Sequence, residues 1–338
     1  MVEVGVIGAG SWGIALAKLL HTNGNKVTVW SIVEDEIKML KEKHEHVDKL
    51  PGVKLPEDIL FTTDLAETVQ QKDVLVLAVP SVFTRSTAKS MAPYVTEKQI
   101  IVCVAKGIEE ATLMTLSEII EQEIPNANVA VLSGPSHAEE VAMGKLTGLV
   151  AASLNPKNSI RVRELLKVPG LYSVSSFDVV GVQICAAAKN VVAVVYGALD
   201  ALAETSDYFG DNAESLLMAA GLNEIQTLGF AMGATHAETF TSISGVGDLD
   251  VTCKSKYGRN RRFGQDLIKT DMLSKFKNID DLIANVSKIG YLPEGAIACK
   301  YVHEISQKKE LKLPLSDGLY KVLNKEMTVT EVLKNLQK

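Results

Sequence analysis

A chain of 338 residues is long enough for about two domains, and a hydrophobic content of 46% is ample for their cores. A net charge of −6 argues against a nucleic-acid surface or a polybasic membrane anchor. The four cysteines, Cys103, Cys185, Cys253 and Cys299, are scattered without a C-x-x-C spacing, which excludes a disulfide framework or a zinc site and points to a reducing compartment. The first apolar run is too short for a signal peptide and leads directly into a folded motif. A soluble, cytoplasmic protein is the expectation.

Residues 2–7 read as a short apolar strand. Gly8-Ala9-Gly10-Ser11-Trp12-Gly13 follows, then an apolar helix to about Thr22, a closing Asn23-Gly24-Asn25, and a second strand over residues 26–30. Strand, G-x-G-x-x-G, helix and strand in close succession form the context that makes this motif a dinucleotide fingerprint. The glycines permit a tight turn and the close approach of a pyrophosphate, and the helix N-terminus supplies amide donors and a positive dipole end. A glycine turn without a ligand is the plainer alternative. An NAD site normally ends its second strand on an acidic residue that binds the ribose hydroxyls. Here Trp30-Ser31 stand at that point, Glu34 comes a few residues late, and no arginine is placed to receive a 2′-phosphate. NAD and NADP both stay open.

The alternation continues with strands over residues 73–79, 100–105 and 128–132. They end in Pro80-Ser81, in Lys106-Gly107 and in Ser133-Gly134-Pro135-Ser136-His137-Ala138. Ligands of an open parallel sheet bind beyond the carboxyl ends of its strands, so these three ends are expected to line one crevice. Residues 149–153 and 172–175 extend the sheet. From Phe177 onward the strand signal gives way to helices over residues 178–205, 212–232, 261–268, 279–289 and 295–308. The expected architecture is α/β. An N-terminal Rossmann-type doubly wound sheet (residues 1–177) binds NAD(P), and an all-helical C-terminal domain (residues 178–338) handles substrate and catalysis.

The helix over residues 178–205 is apolar nearly all round and should be buried, yet its middle carries Lys189-Asn190. With Gln183 these residues interrupt the run of about 20 apolar residues that a membrane span needs. An ammonium buried without a partner is costly, and the usual escapes are a weaker hold on the proton or a paired carboxylate. A structural ion pair and an active-site amine both fit. At the head of the second domain, this helix would face the nucleotide crevice.

Two more polar patches follow, Ser244-Gly-Val-Gly-Asp248-Leu249 and the basic run from Lys254 to Arg262. The basic run is either a solvated face or an anion receiver at a helix start, and a phosphorylated substrate would explain it. A nicotinamide carries hydride chemistry, and the protein must handle one proton. Lys189 and Lys106 are the candidates to stabilise a developing alkoxide and move that proton, and two ammonium groups in one site would lower each other's hold on it. Asp248 would hold a lysine or bond a substrate hydroxyl. His21, His44, His46, His137, His236 and His303 form no metal spacing, so no metal is expected.

The stretches GAGSWG (8–13), AKGIE (105–109), LSGPSHAEE (132–140), AAAKN (186–190), GVGDL (245–249) and GRNRRFG (258–264) occur in one order. With them the chain, from Val4 to about Thr330, resembles the bacterial NAD(P)-dependent sn-glycerol-3-phosphate dehydrogenase family. The resemblance implies interconversion of dihydroxyacetone phosphate and sn-glycerol 3-phosphate, mainly toward the glycerol phosphate used in phospholipid synthesis. It implies that Lys189 accepts the proton in oxidation, that Lys106 is shared by cofactor and substrate, and that Asp248 lies in the substrate site. Gly134 and Ser136 correspond to substrate contacts, and Gly258, Arg259 and Asn260 to the phosphate site. Gly8, Gly10, Ser11, Trp12, Gly13, Ser31, Ala138, Arg259, Leu292 and Glu294 fall in the cofactor set. The chain departs from the family pattern in four places. Gly258 replaces a usual serine. Ala219-Ala220-Gly221 stands where many members carry an arginine, with Arg261 or Arg262 as candidate replacements. No basic residue lies at Ser31, and Pro293 replaces an aliphatic residue. The rival readings are another two-domain hydroxyacid dehydrogenase of 6-phosphogluconate-dehydrogenase-like architecture and a catalytically dead dinucleotide sensor. Neither nucleic acid nor stable membrane insertion is expected, and a long apolar helical domain is compatible with a homodimer.

Overall fold

The computed structural model describes residues 1–255 and 258–336. Strands built from unbroken Val, Ile and Leu need cover on both faces, which a parallel sheet with helices on either side provides. In chain order these elements are β1 (Glu3–Ile7), α1 (Ser11–Thr22), β2 (Lys26–Trp30), α2 (Glu34–Lys43), β3 (Leu60–Thr62), α3 (Leu65–Val69), β4 (Val74–Leu77), α4 (Thr84–Met91), β5 (Ile100–Cys103), α5 (Leu116–Glu123), β6 (Asn128–Ser133), α6 (Ala138–Ala142), β7 (Thr147–Ala152), α7 (Pro156–Leu165) and β8 (Leu171–Ser176). The sheet order is β3-β2-β1-β4-β5-β6-β7-β8. The order therefore reverses between β1 and β4, whose parallel register pairs Ile7 with Leu77. Val4, Val6, Ile14, Leu16, Val29, Val76 and Val102 fill the core around this point.

One pairing departs from the expected parallel sheet: β7 runs antiparallel to β6, with Leu132 opposite Ala151. The chain turns back over the short α6 and Gly144 (φ +69°) instead of crossing over on a long helix. β8 then pairs with β7 in parallel.

The chain divides into two compact units. The first is Met1–Glu109 with Met114–Val179, and the second is Glu110–Leu113 with Val180–Lys338. The second is helical among the described residues: α8 (Val179–Ala203), α9 (Asp211–Met232), α10 (Asp248–Lys254), α11 (Arg259–Lys269), α12 (Ile279–Ala284), α13 (Glu294–Lys308), α14 (Pro314–Leu323) and α15 (Val329–Asn335). α8 is long and apolar enough to cross a membrane by length and composition, but its most apolar window is 94% buried inside the protein. The single helix expected over residues 279–289 is broken. Asn285 turns its side-chain amide back onto Asp281, and the chain tightens into a 3₁₀ turn that ends at Gly290 (φ +84°). α14 and α15 lie beyond the expected helices, although both carry start signals: Pro314 at the first turn of one, and a Thr328–Glu331 capping box on the other.

Glu224, buried on α9, holds the start of α14. Its carboxyl accepts from the backbone N–H groups of Leu315 and Ser316 and from Ser316 Oγ. Burial pushes this carboxyl up to about 7, although those hydrogen bonds pull in the other direction. The folded state therefore binds the proton more tightly than the unfolded chain. The resulting stability is fully present below about pH 4.5 and is lost as pH rises through about 7. Relative to Glu224→Gln, the wild-type chain should lose on the order of 3 kcal/mol between pH 4.5 and 8. Urea unfolding of both proteins across that range measures the difference, and parallel pH profiles would count against a buried, proton-binding Glu224.

Candidate active site

In the first unit, the turn from β1 into α1 is dictated by two glycines. Gly8 has φ +119°, and a Cβ there would stand 2.8 Å from the Ala78 carbonyl carbon. At Gly13 a Cβ would stand 2.1 Å from Gly8 O. Gly10, between them, faces open space, and it N-caps α1 with no side-chain cap. The first-turn amides, among them those of Ser11 and Trp12, are thus left to an anion, and the turn fits a dinucleotide pyrophosphate. At the end of β2, Ser31 Oγ donates to Glu36 Oε2 at 2.7 Å. The acidic residue that reaches this strand end is therefore Glu36 and not Glu34. It lies on the first turn of α2 and folds back, which strand spacing does not reveal.

The expected gathering of strand ends is present at β4, β5 and β6. Lys106 Nζ donates to Gly134 O at 3.2 Å, and Ser136 Oγ donates to the same oxygen at 2.9 Å. Gly134 (φ +153°) lies so close to β7 that a Cβ would meet Gly148 O at 2.4 Å. A Cβ on Gly107 would meet Ser81 Cβ at 2.9 Å, so the β4 end joins the same cluster. Ala138 is buried at the start of α6, next to His137 at its N-cap.

In the second unit, Lys189 and Asp248 are 5% and 1% exposed, and Lys189 Nζ is hydrogen-bonded to Asp248 Oδ1 as an ion pair. Asp248 opens α10 directly after a π-helical turn, Ile243–Gly247, of the kind that accumulates at functional sites. Beside this pair runs a second link. Asn260 Nδ2 donates to Asn190 Oδ1 at 3.0 Å, and Gly295 N–H donates to Asn260 Oδ1 at 2.8 Å. The three helices α8, α11 and α13 meet here because small residues let their backbones approach. A Cβ on Gly264 would meet Val194 O at 1.9 Å, and one on Gly295 would meet Asn190 O at 2.4 Å. Arg259, at the start of α11, pairs with Glu294 at 3.2 Å, and both are well exposed. Gly258 N-caps α11 with no side-chain bond. Leu292 is partly exposed just before α13.

Among the described residues, the cations of the basic run have separate partners. Arg261 donates from Nε and Nη2 to Asp200 on α8, at 3.1 and 2.7 Å, and Gln265 binds the same carboxylate. Lys254 pairs with Asp250 at 2.7 Å, and Arg262 lies over the Tyr291 ring. Arg261 is thus engaged inside the fold with α8. Lys256 and Tyr257 lie outside the described residues. The Asn190–Asn260–Gly295 link and the role of Asp200 were not anticipated. They depend on pairings 35 or more residues apart, which no local pattern encodes.

Comparison with known proteins agrees across the whole chain. The family model for the NAD-dependent glycerol-3-phosphate dehydrogenase N-terminus matches residues 3–159, and that for the C-terminus matches residues 178–334. A glycerol-3-phosphate dehydrogenase [NAD(P)+] of Treponema denticola is 50% identical over 99% of this chain and 98% of its own length. One from Agathobacter rectalis is 46% identical over 99% and 96%. The crystal structure of a glycerol-3-phosphate dehydrogenase from Coxiella burnetii superposes with a TM-score of 0.88, at 29% identity, covering 100% of this chain and 99% of that one.

The glycine contacts make a direct test. Gly264→Ala should force α11 away from α8 and cost about 1–3 kcal/mol by overpacking. Thermal unfolding of the variant reads this loss, and an unchanged midpoint would mean that the helices do not depend on that contact.

Proposed function

The chain belongs to the NAD-dependent glycerol-3-phosphate dehydrogenase family, and on that premise we propose how its own residues carry the reaction. Its activity is that of an NAD(P)-dependent dehydrogenase of glycerol 3-phosphate, an oxidoreductase. The proposed direction is reduction of dihydroxyacetone phosphate to sn-glycerol 3-phosphate for lipid synthesis, in the cytoplasm. The first unit is assigned to the dinucleotide and the second to substrate and proton transfer.

The observation that carries the site assignment is the buried Lys189–Asp248 pair beside the Asn190–Asn260–Gly295 link. The nicotinamide supplies the hydride when bound. Gly8, Gly10 and Gly13 shape the turn that would hold the pyrophosphate on the amides of Ser11 and Trp12, with Ala138 and Lys106 further along the strand ends. As the substrate carbonyl becomes an alkoxide, the Lys189 ammonium stabilises the charge and gives its proton to the oxygen. In the reverse direction, neutral Lys189 takes the proton of the secondary hydroxyl. Asp248 fixes the Lys189 Nζ position and offsets its charge in a site with little water.

The substrate phosphate is assigned to the N-terminus of α11. The Gly258 N–H donates to Ser255 O at 3.1 Å and the Asn260 side chain is engaged at both ends, so the backbone amides of Arg259 and Asn260 are the donors assigned to an oxyanion. The Arg259 guanidinium adds a charge-assisted bond, and Glu294, its present partner, links it to the late cofactor segment at Leu292.

An absorbance assay with dihydroxyacetone phosphate and NADH or NADPH tests the reaction itself, and no oxidation of either cofactor would refute it. Lys189→Ala should abolish turnover while NADH binding, followed by fluorescence, survives. Near-wild-type turnover would remove the proton-transfer role. Arg259→Ala should raise the KM for dihydroxyacetone phosphate roughly 10- to 150-fold, as expected for a charge-assisted contact worth about 1.5–3 kcal/mol. An unchanged KM would move the phosphate site elsewhere.

A further inference from the structure

The end of β2 carries a cluster that the mechanism above does not use. Glu36 on α2 accepts from Ser31 Oγ through Oε2, at 2.7 Å, and from Lys49 Nζ through Oε1. His46 Nε2 lies 3.6 Å from the same Oε1. The Lys49 backbone N–H donates to His46 Nδ1 at 3.3 Å, so Nδ1 presents its lone pair and the neutral ring carries its proton on Nε2. That buried Nε2 meets no acceptor within hydrogen-bond length among the described residues. The Glu36 side chain is 15% exposed, His46 1% and Lys49 47%. Burial alone would push the Glu36 carboxyl up. The hydrogen bonds from Lys49 and Ser31, and the Lys49 charge, nevertheless hold it below the ordinary carboxylate value, so it is an anion at neutral pH.

The end of the second strand is where this fold distinguishes the two cofactors. A carboxylate there accepts hydrogen bonds from the ribose hydroxyls, whereas a cation accommodates a 2′-phosphate. Ser31 occupies the position but brings only a hydroxyl, and that hydroxyl is bonded to a carboxylate delivered from the following helix. A 2′-phosphate placed here would meet fixed negative charge at short range in a half-buried site. Lys49, the nearby cation, is already paired with that same carboxylate. Exposed Ile32 and Val33, next in the chain, offer apolar surface for an adenine face.

We infer that Glu36, held by Ser31 and Lys49 beside His46, reads the adenosine 2′-hydroxyl and makes this chain select NADH over NADPH. The inference rests on the assignment of the first unit to a dinucleotide. It is tested by calorimetric titration of NADH and of NADPH into the wild-type protein, Glu36→Gln and Lys49→Met, alongside kcat/KM with each cofactor. The wild-type protein should bind NADH about tenfold or more tightly than NADPH. Glu36→Gln should narrow that ratio about tenfold, mainly through tighter NADPH binding, because Lys49 is released toward the phosphate. Lys49→Met leaves the carboxylate without its counter-charge and should widen the preference, and this variant carries the test if Glu36→Gln fails to fold. Equal affinity of the wild-type protein for both cofactors would overturn the inference, as would a Glu36→Gln variant that shifts both cofactors alike or a Lys49→Met variant with an unchanged ratio. Failure of the wild-type protein to bind either cofactor would instead overturn the dinucleotide assignment beneath it.

Discussion

Two opposite charges, those of Lys189 and Asp248, sit where almost no water reaches, and the second unit is arranged to keep them together. Such a pair has little worth as a device for stability. The desolvation of both ions consumes most of their attraction, and well-packed apolar residues of similar volume often do as well or better. Losing one partner, by contrast, strands a buried charge at a cost of about 3–5 kcal/mol. The pair therefore constrains everything around it: α8 must present Lys189 at one depth, and the π-helical turn must deliver Asp248 to meet it.

The surrounding packing answers that constraint with missing side chains. Gly264 and Gly295 let α11 and α13 lie against the backbone of α8, which brings Asn260 and the Gly295 amide to Asn190. The side-chain oxygens of Asn190 and Asn260 each thereby receive a donor beside the ion pair, where a buried acceptor without one would be costly. The first unit solves a different problem in a similar way. Gly8, Gly13 and Gly134 draw backbones together at strand ends, so that Lys106 and Ser136 converge on a single carbonyl oxygen. In the second unit Lys189 and Asp248 stand on helices, whereas in the first Lys106 and Ser136 stand on the loops that follow β5 and β6.

Much of this was legible in the sequence because the signals are local. The β1–α1 glycine turn, the strand ends carrying Ser81, Lys106 and Ser136, and the apolar helix around Lys189 all declare themselves within a few residues. The expectation that Asp248 holds a lysine also agrees with the geometry, since the charge of a buried ammonium requires a partner somewhere. What stayed hidden was non-local or depended on a chain reversal. The basic run looked uniform, yet Arg261 belongs to Asp200, 61 residues earlier. The direction of β7 depended on how the chain turned after α6, which hydrophobic content does not specify. The helix over residues 279–289 failed at Asn285, whose side chain competes with the backbone for the last-turn carbonyl.

The end of β2 shows how a position can mislead while the chemistry stays intact. Read along the strand, Ser31 is a polar residue without charge, and the usual rule for cofactor choice has nothing to act on. In the fold the charge arrives five residues later in sequence but only one hydrogen bond away, because α2 begins at once and its first turn points back at the strand. Acidic residues in the first turn of a helix are already favoured by the helix dipole, so placing Glu36 there costs the fold little. Lys49, brought in by the chain after α2, then holds the carboxylate beside buried His46, in a half-buried setting where its charge acts at greater strength than on an open surface. The same selection that a strand-end aspartate makes through one residue can thus be made by a small group of side chains, each of which looks ordinary in the sequence.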